Sequence, residues 1–165
     1  MNLDFSARKH FEDGASAYIR QDYKQSAAHF SRVVKIDRGY APGYAYRGAS
    51  YLKRGRLAAA MADFDRAIQL APDFALAYHL RALVHERQGN FAKAYRDFDS
   101  ALHIDPDCNS AYCGRDSILS GQNAGSCNED AEIINDLNRV RLQSGSMAGN
   151  REEASPAGKA SVAHR

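Results

Sequence analysis

An arginine and an aspartate recur at one fixed spacing in two places along the chain. Arg47 stands 16 residues before Asp63, and Arg81 stands 16 residues before Asp97. Guanidinium and carboxylate groups form two-pronged ion pairs when two helices bring them together. The spacing predicts an ion pair between neighbouring helices with a structural role, because partly exposed pairs contribute under about 1 kcal/mol yet can fix how helices align.

Asp13 and His29 occupy the corresponding positions nearer the N-terminus, with the charges exchanged. A carboxylate still attracts an imidazole when the imidazole is protonated. We therefore expect a related contact there.

The other histidines lack the spacing of a metal site. His85-Glu86 opens like the helix of a zinc protease, but Gly89 stands where the second histidine would be needed. His79 and His85 lie six residues apart, so they point to different faces of a helix. The sequence predicts no metal site and no cofactor.

Covalent chemistry has no sequence signature either. No Gly-Lys-Ser or Gly-Lys-Thr follows a turn glycine, and no serine or cysteine has the flanking residues of a nucleophile. Cys108, Cys113 and Cys127 form no Cys-x-x-Cys pair, which favours reduced, incidental thiols. We expect a protein that is not an enzyme.

Charge and hydropathy limit the partners. The net charge of +2 is spread without a basic run, so we expect no nucleic-acid binding. The first ten residues have no apolar signal-peptide core, and no apolar run is long enough to span a bilayer. These features predict a cytoplasmic protein that does not insert into membranes.

The arginine–aspartate pairs belong to a repeat of 34 residues. Asp63-Phe64-Asp65 returns as Asp97-Phe98-Asp99, and Tyr44 returns as Tyr78 and Tyr112. A fixed period of this size marks a stacked array in which each unit is a pair of helices. The ungapped repeat gives units at about 7–40, 41–74 and 75–108.

Glycine and proline mark the ends of the predicted helices. Gly55 and Gly89 stand between two segments with apolar residues at helical spacing, where a left-handed residue can end the first helix. Pro72 and Pro106 end the second helix, because proline lacks the backbone donor. Each unit is therefore predicted to be helix, tight turn, helix.

The order of aromatic, small residue, tyrosine, glycine, alanine, phenylalanine, alanine and proline resembles the tetratricopeptide repeat over about 7–120. The resemblance implies an all-α, right-handed superhelical solenoid of antiparallel helix pairs, comparable to small bacterial three-repeat proteins. The first unit departs from the pattern, since Gln21 holds the turn-glycine position and Arg38 the proline position.

The repeat decays after residue 108, and we expect a degenerate capping helix pair at 109–142 to complete a repeat domain of 7–142. We expect a short lead at 1–6 before this domain and a disordered tail at 143–165 after it. Asp116 occupies a small-residue site, and Ser126 with Glu129 forms a capping box that begins the last helix. Ile133, Leu137 and Val140 are predicted to pack on the preceding pair, leaving Glu132, Asn135, Asp136 and Arg139 on a polar outer face.

The resemblance also implies a concave groove lined by the first helices of successive units. Its predicted lining is mostly apolar with a charged edge, and consists of Arg8, Phe11, Ala15, Tyr18, Ile19, Pro42, Ala45, Ala49, Leu52, Lys53, Leu76, His79, Leu83, Glu86 and Arg87.

Relatives that clamp the C-terminal carboxylates of heat-shock chaperones use basic and amide side chains at groove positions. Those positions correspond here to Phe11, Ala15, Tyr46, Leu76 and Leu80, none of which can clamp a carboxylate. The groove is better suited to an apolar or amphipathic segment, or to the chain's own first or last helix.

The leading hypothesis is an adaptor that binds a segment of a partner protein in this groove, with homo-oligomers through paired grooves also open. One alternative is a dedicated chaperone of a secreted or assembling client, similar to three-repeat chaperones of bacterial secretion systems. Another is a non-catalytic regulatory subunit of an enzyme assembly.

Overall fold

The computed structural model describes residues 3–121 and 129–145. In these ranges the chain forms helices joined by short turns, and it forms no strand. The helices of the second unit begin and end as the turn residues predict. The eight helices are α1 Phe5–Ile19, α2 Tyr23–Ile36, α3 Ala41–Lys53, α4 Leu57–Leu70, α5 Ala75–Arg87, α6 Phe91–Ile104, α7 Asn109–Ser120 and α8 Glu129–Gly145.

The first six helices form three stacked pairs. Helices α1 and α2, α3 and α4, and α5 and α6 pack against each other, and the second helix of each pair packs on the first helix of the next unit. Helix α7 continues the stack on α6. The predicted α-solenoid is confirmed. None of the described helices has the length and apolar character needed to cross a bilayer.

Aromatic side chains fill the core between the pairs. Phe30, Phe64 and Phe98 take the same repeat position in the three units and are fully buried. Phe11 meets Phe30 and Tyr46 edge-on, each at 5.5 Å between ring centroids. Neighbouring units therefore share one continuous core, as a stacked array requires.

The turn between the two helices of the first unit has a glutamine where the second and third units have a glycine. Gly55 and Gly89 have φ values of 71° and 74°, and Gln21, in the same slot, has a φ of 61°. A side chain in this left-handed region costs about 1 kcal/mol, whereas glycine adopts it without that cost.

Gln21→Gly should therefore stabilise the protein by about 1 kcal/mol, because it removes this backbone strain from an exposed turn. Urea unfolding followed by circular dichroism measures the change. Gln21→Ala is the matched control and should give no gain, since alanine keeps the β-carbon. Equal stabilities of the glycine and alanine variants would contradict the argument.

The end of the array differs from the prediction. Helix α8 does not pack along α7 as the second member of a fourth pair; within the described residues its contacts are with α1 and the concave core. Asp116 is exposed, because the face of α7 on which a partner helix would lie stays open to solvent. Within the described residues, α7 and α8 therefore do not form the capping pair that the sequence predicts.

Two predictions concern residues outside the described ranges. The capping box depends on Ser126 and on the side chain of Glu129, and the tail prediction applies from 146 onward. The described part of α8 extends to Gly145, so it takes in the first three residues of the segment 143–165 that was expected to be a disordered tail.

Candidate protein-binding groove

Helix α8 lies in the concave groove. Ile133 and Leu137, one turn apart, are both 0% exposed and belong to the main core cluster, with Val140 packed at its edge. The apolar positions along α8 form one buried stripe, as predicted, but the surface that receives them is the groove rather than the preceding helix pair.

Polar contacts fix the direction of α8. Asp130, at its start, accepts a hydrogen bond from Tyr18 at 3.3 Å and pairs with Lys53 Nζ at 2.8 Å. Asp136, two turns later, contacts Tyr46 in the middle of α3. Because Lys53 ends α3, α8 runs antiparallel to the first helices of the units.

A buried carboxylate anchors the centre of α8. Asp136 accepts hydrogen bonds from the hydroxyl of Tyr46 and from the guanidinium of Arg139. Burial, together with the nearby charge of Asp136, raises the pKa of Tyr46 well above its usual value and that of Tyr40 to about 12. The expectation that Asp136 lies on a polar outer face is therefore wrong, since its carboxylate is buried and bonded.

The raised pKa values of Tyr40 and Tyr46 predict that the docking of α8 becomes weaker at high pH. A tyrosine whose pKa is higher in the folded state stabilises the fold fully below the unfolded value of about 10 and loses that contribution as pH rises further. We expect the free energy of unfolding to fall as the pH rises from about 10 to about 12, and Tyr46→Phe to make that fall shallower. An unchanged slope in Tyr46→Phe, measured by urea unfolding, would contradict this.

Most of the predicted groove residues fall into three groups. Most of the apolar ones are buried, in the core shared with α8: Phe11, Ala15, Tyr18, Ala49, Leu52, Leu76 and Leu83. The charged edge remains partly or fully accessible at Arg8, Lys53, Glu86 and Arg87, and Arg87 reaches the carbonyl of Leu52 at 3.3 Å. Ile19 is exposed at the end of α1.

Two predicted groove residues have other surroundings. Ala45 packs with Ala67 and Ala77 in a small cluster between the second and third units, so it supports stacking. His79 is buried with its ring 5.7 Å from that of Phe98 on α6, where a ligand in the groove could not reach it. His79 is therefore not part of an accessible groove lining.

Both arginine–aspartate pairs form in the structure, and further pairs, Arg81 with Asp65 and Arg115 with Asp99, join successive units. Arg47 binds both carboxylate oxygens of Asp63, at 2.8 and 2.6 Å. Arg81 binds both oxygens of Asp97 at 2.8 Å and also Asp65 of the preceding unit at 2.7 Å. The second aspartate of the repeated Asp-Phe-Asp motif was the available signal for this contact between units.

Hydrogen bonding to these carboxylates raises the pKa of Arg47 and Arg81, so both stay charged. Burial lowers the pKa of His85, whose Nε2 lies 3.9 Å from Asp97. In the described part of the chain, Cys108 is a buried free thiol and Cys113 an exposed one.

The groove is not completely filled. A cavity of about 370 Å³ remains where α8 passes the ends of α5 and α6, lined among others by Asp73, Leu76, Asp105 and Arg139. Carboxylates and one guanidinium border it, so the concave face keeps a polar opening beside the docked helix.

Residues 47–115 match the tetratricopeptide repeat family model. This match, over 69 of the 165 residues, and the stacked helix pairs support a tetratricopeptide repeat protein. No curated protein matches the sequence.

Solved structures of other tetratricopeptide domains share the fold at low identity. The TPR domain of Arabidopsis OM64 has a TM-score of 0.68 at 21% identity, over 70% of this chain and 96% of that one. The first TPR of Spaghetti (RPAP3), bound to an HSP90 peptide, has a TM-score of 0.68 at 18% identity, over 73% and 97%. The yeast Sti1 TPR2B domain in its pHsp70 complex has a TM-score of 0.61 at 23% identity, over 85% and 98%.

Proposed function

We propose that this protein is an interaction adaptor whose concave groove binds an amphipathic helix of a partner protein. The observation that carries the proposal is α8, because its contacts with the groove support an amphipathic helix as the kind of segment that a partner would place there. An apolar stripe of Ile133 and Leu137 enters the core while carboxylates on either side bind groove hydroxyls and an amine. This is helix-in-groove recognition, in which anchors one turn apart contribute most of the burial.

The contacts of α8 define the partner chemistry. A matching helix would place a carboxylate three residues before its first apolar anchor, as Asp130 stands before Ile133. A second carboxylate would directly precede the next anchor, as Asp136 precedes Leu137. Lys53 and the hydroxyls of Tyr18 and Tyr46 would receive these carboxylates, so the groove favours an acidic amphipathic helix.

The positions at which related domains clamp a C-terminal carboxylate support a helix over an extended acidic tail. Phe11, Ala15, Tyr46, Leu76 and Leu80 are apolar or aromatic and buried. They present no cation to a terminal carboxylate, so affinity has to come from apolar burial with directed hydrogen bonds.

In this proposal α8 competes with the partner in cis. A short connection to the groove gives α8 an effective concentration in about the millimolar range, so a free helix binds the intact chain weakly. A variant whose α8 cannot dock should expose the groove. Ile133→Asp with Leu137→Asp is that variant, because aspartate cannot enter an apolar core without a partner.

The test is a titration of a fluorescent peptide with the sequence of residues 129–145 against the full-length double variant. We expect one-to-one binding to the variant and binding at least about tenfold weaker to the native chain. A peptide carrying the same two aspartates is the control and should not bind. The proposal fails if the variant retains the helical content of the stacked pairs but does not bind the native peptide.

Charged substitutions within the groove would test the stability of the array rather than the binding of a partner. Tyr18, Leu52 and Leu83 are part of the packed core, so glutamate there would destabilise the array itself. Changing α8 leaves the groove residues intact, which is why the variants are placed on α8.

A further inference from the structure

The first helix pair differs from the other units at three positions that contact one another. In the second unit Tyr44, Arg47 and Asp63 hold these positions; the guanidinium lies 5.4 Å from the centroid of the tyrosine ring and binds the carboxylate with two hydrogen bonds. The third unit repeats the arrangement, with 5.6 Å between guanidinium and ring centroid. These side chains satisfy one another and join the two helices of the unit.

In the first unit, the same three positions hold His10, Asp13 and His29. One ligand atom from each of the three side chains lies within 4.8 Å of the others. His29 Nδ1 is 3.9 Å from Asp13 Oδ2, and the two imidazole rings are 5.9 Å apart at their centroids. Three groups able to bind a metal thus replace an arrangement that is satisfied without one.

The imidazoles are not fully used by other contacts. The Nδ1 atoms of His10 and His29 are buried, and neither has a hydrogen-bond partner among the described residues. A buried polar atom without a partner carries a free-energy cost, and coordination of a metal would remove that cost. The separation of His29 from Asp13 exceeds hydrogen-bonding distance, so the pair itself does not remove it.

We propose that His10, Asp13 and His29 form a binding site for a divalent first-row transition metal, with Zn²⁺ as the favoured ion. Two imidazole nitrogens and one carboxylate oxygen suit Zn²⁺ and its neighbours, whereas Mg²⁺ and Ca²⁺ prefer oxygen ligands alone. The site joins α1 to α2, in the place where the other units use a bidentate arginine–aspartate pair.

The geometry requires only a small adjustment. Ligands at about 2.1 Å from a tetrahedral metal lie roughly 3.4 Å from one another, so side chains now within 4.8 Å must close by about 1 Å. Rotation of side chains can provide this, because His10 and Asp13 lie one turn apart on one helix and face His29 on the next. The Asp13 side chain is 46% exposed, which leaves the fourth position open to water.

The test is isothermal titration of the metal-free, full-length native chain with Zn²⁺, followed by Co²⁺ for its absorption spectrum. We expect one Zn²⁺ per chain at micromolar concentrations, a higher thermal midpoint with Zn²⁺, and a Co²⁺ spectrum without a thiolate charge-transfer band. His10→Tyr, which restores the residue of the other units, should weaken binding by roughly tenfold or more.

Two controls separate this site from adventitious binding. His103→Ala removes an exposed imidazole elsewhere, and Cys113→Ser removes the exposed thiol; neither should change Zn²⁺ binding. The triple variant His10→Tyr, Asp13→Arg and His29→Asp should keep the fold without the metal. The proposal is overturned if the native chain binds no Zn²⁺, if Cys113→Ser abolishes binding, or if Co²⁺ bound to the native chain shows thiolate ligation.

Discussion

Replacing Ile133 and Leu137 by aspartate will detach α8 and lower the free energy of unfolding by about 4 kcal/mol. Each of these side chains is fully buried, and burial of one such side chain contributes about 1.5–3 kcal/mol. The loss is limited to the docking free energy of α8, because the helix can leave the groove and take its new charges into water. Urea unfolding measures the loss, and hydrogen exchange at α3 and α8 shows where protection disappears.

Asn138→Asp is the matched control for this variant. It adds a negative charge to the same helix on its exposed face, next to Leu137, and should change stability by less than about 0.5 kcal/mol. If the double variant were as stable as the control, α8 would not be docked through these residues. If the double variant unfolded completely, α8 would be an inseparable part of the fold and could not act as a displaceable occupant.

Gly48→Val should destabilise the second unit by about 3 kcal/mol. A β-carbon built on Gly48 would lie 2.6 Å from Cε1 of Phe64 and 3.1 Å from the β-carbon of Asp63. Phe64 is fully buried, so its ring cannot move aside without disturbing the core, and overpacking of this kind costs about 1–3 kcal/mol or more. Thermal and urea unfolding measure the effect.

Gly55→Ala separates this steric effect from the effect of backbone conformation. A β-carbon at Gly55 would meet no atom within 4 Å, so its cost of about 1 kcal/mol comes only from its φ of 71°. Gly48→Val should be clearly the more harmful of the two. Similar losses in both variants would show that the close approach of α3 and α4 does not limit the residue at position 48.

The helix pairs could be predicted from the sequence because their signals are local and recur. The turn at Gly55 returns at Gly89, and the aligned copies place Phe64 and Phe98 in one slot. The same register also fixed which arginine meets which aspartate within a unit. The additional bond from Arg81 to Asp65 needed knowledge of how units stack, which the spacing within one unit does not contain.

The placement of α8 could not be predicted in the same way. Ile133, Leu137 and Val140 form an apolar stripe that would fit a neighbouring helix pair or a groove equally well, since periodicity identifies a buried face but not its partner. The buried role of Asp136 depends on Tyr46, 90 residues earlier in the chain. Asp116, a carboxylate at a small-residue site, was the local indication that α8 does not pair with α7.

The apolar character of the groove has a physical consequence for the free protein. Tyr18, Leu52 and Leu83 would form an extended apolar surface if nothing covered them, and large exposed apolar surfaces promote association. Docking of α8 covers this surface within a single chain. The same contacts could form between two copies, in which case α8 of one chain would occupy the groove of the other.

Carbodiimide cross-linking of the native chain tests the occupied groove most directly. Lys53 Nζ lies 2.8 Å from Asp130 Oδ1, a distance at which the reagent joins amine and carboxylate without a spacer. We predict a Lys53–Asp130 link within monomers, found by peptide mass spectrometry, that is lost in the Ile133→Asp, Leu137→Asp variant and reduced by excess α8 peptide. Links from Asp130 only to lysines outside the groove, or no link to Lys53, would contradict the account.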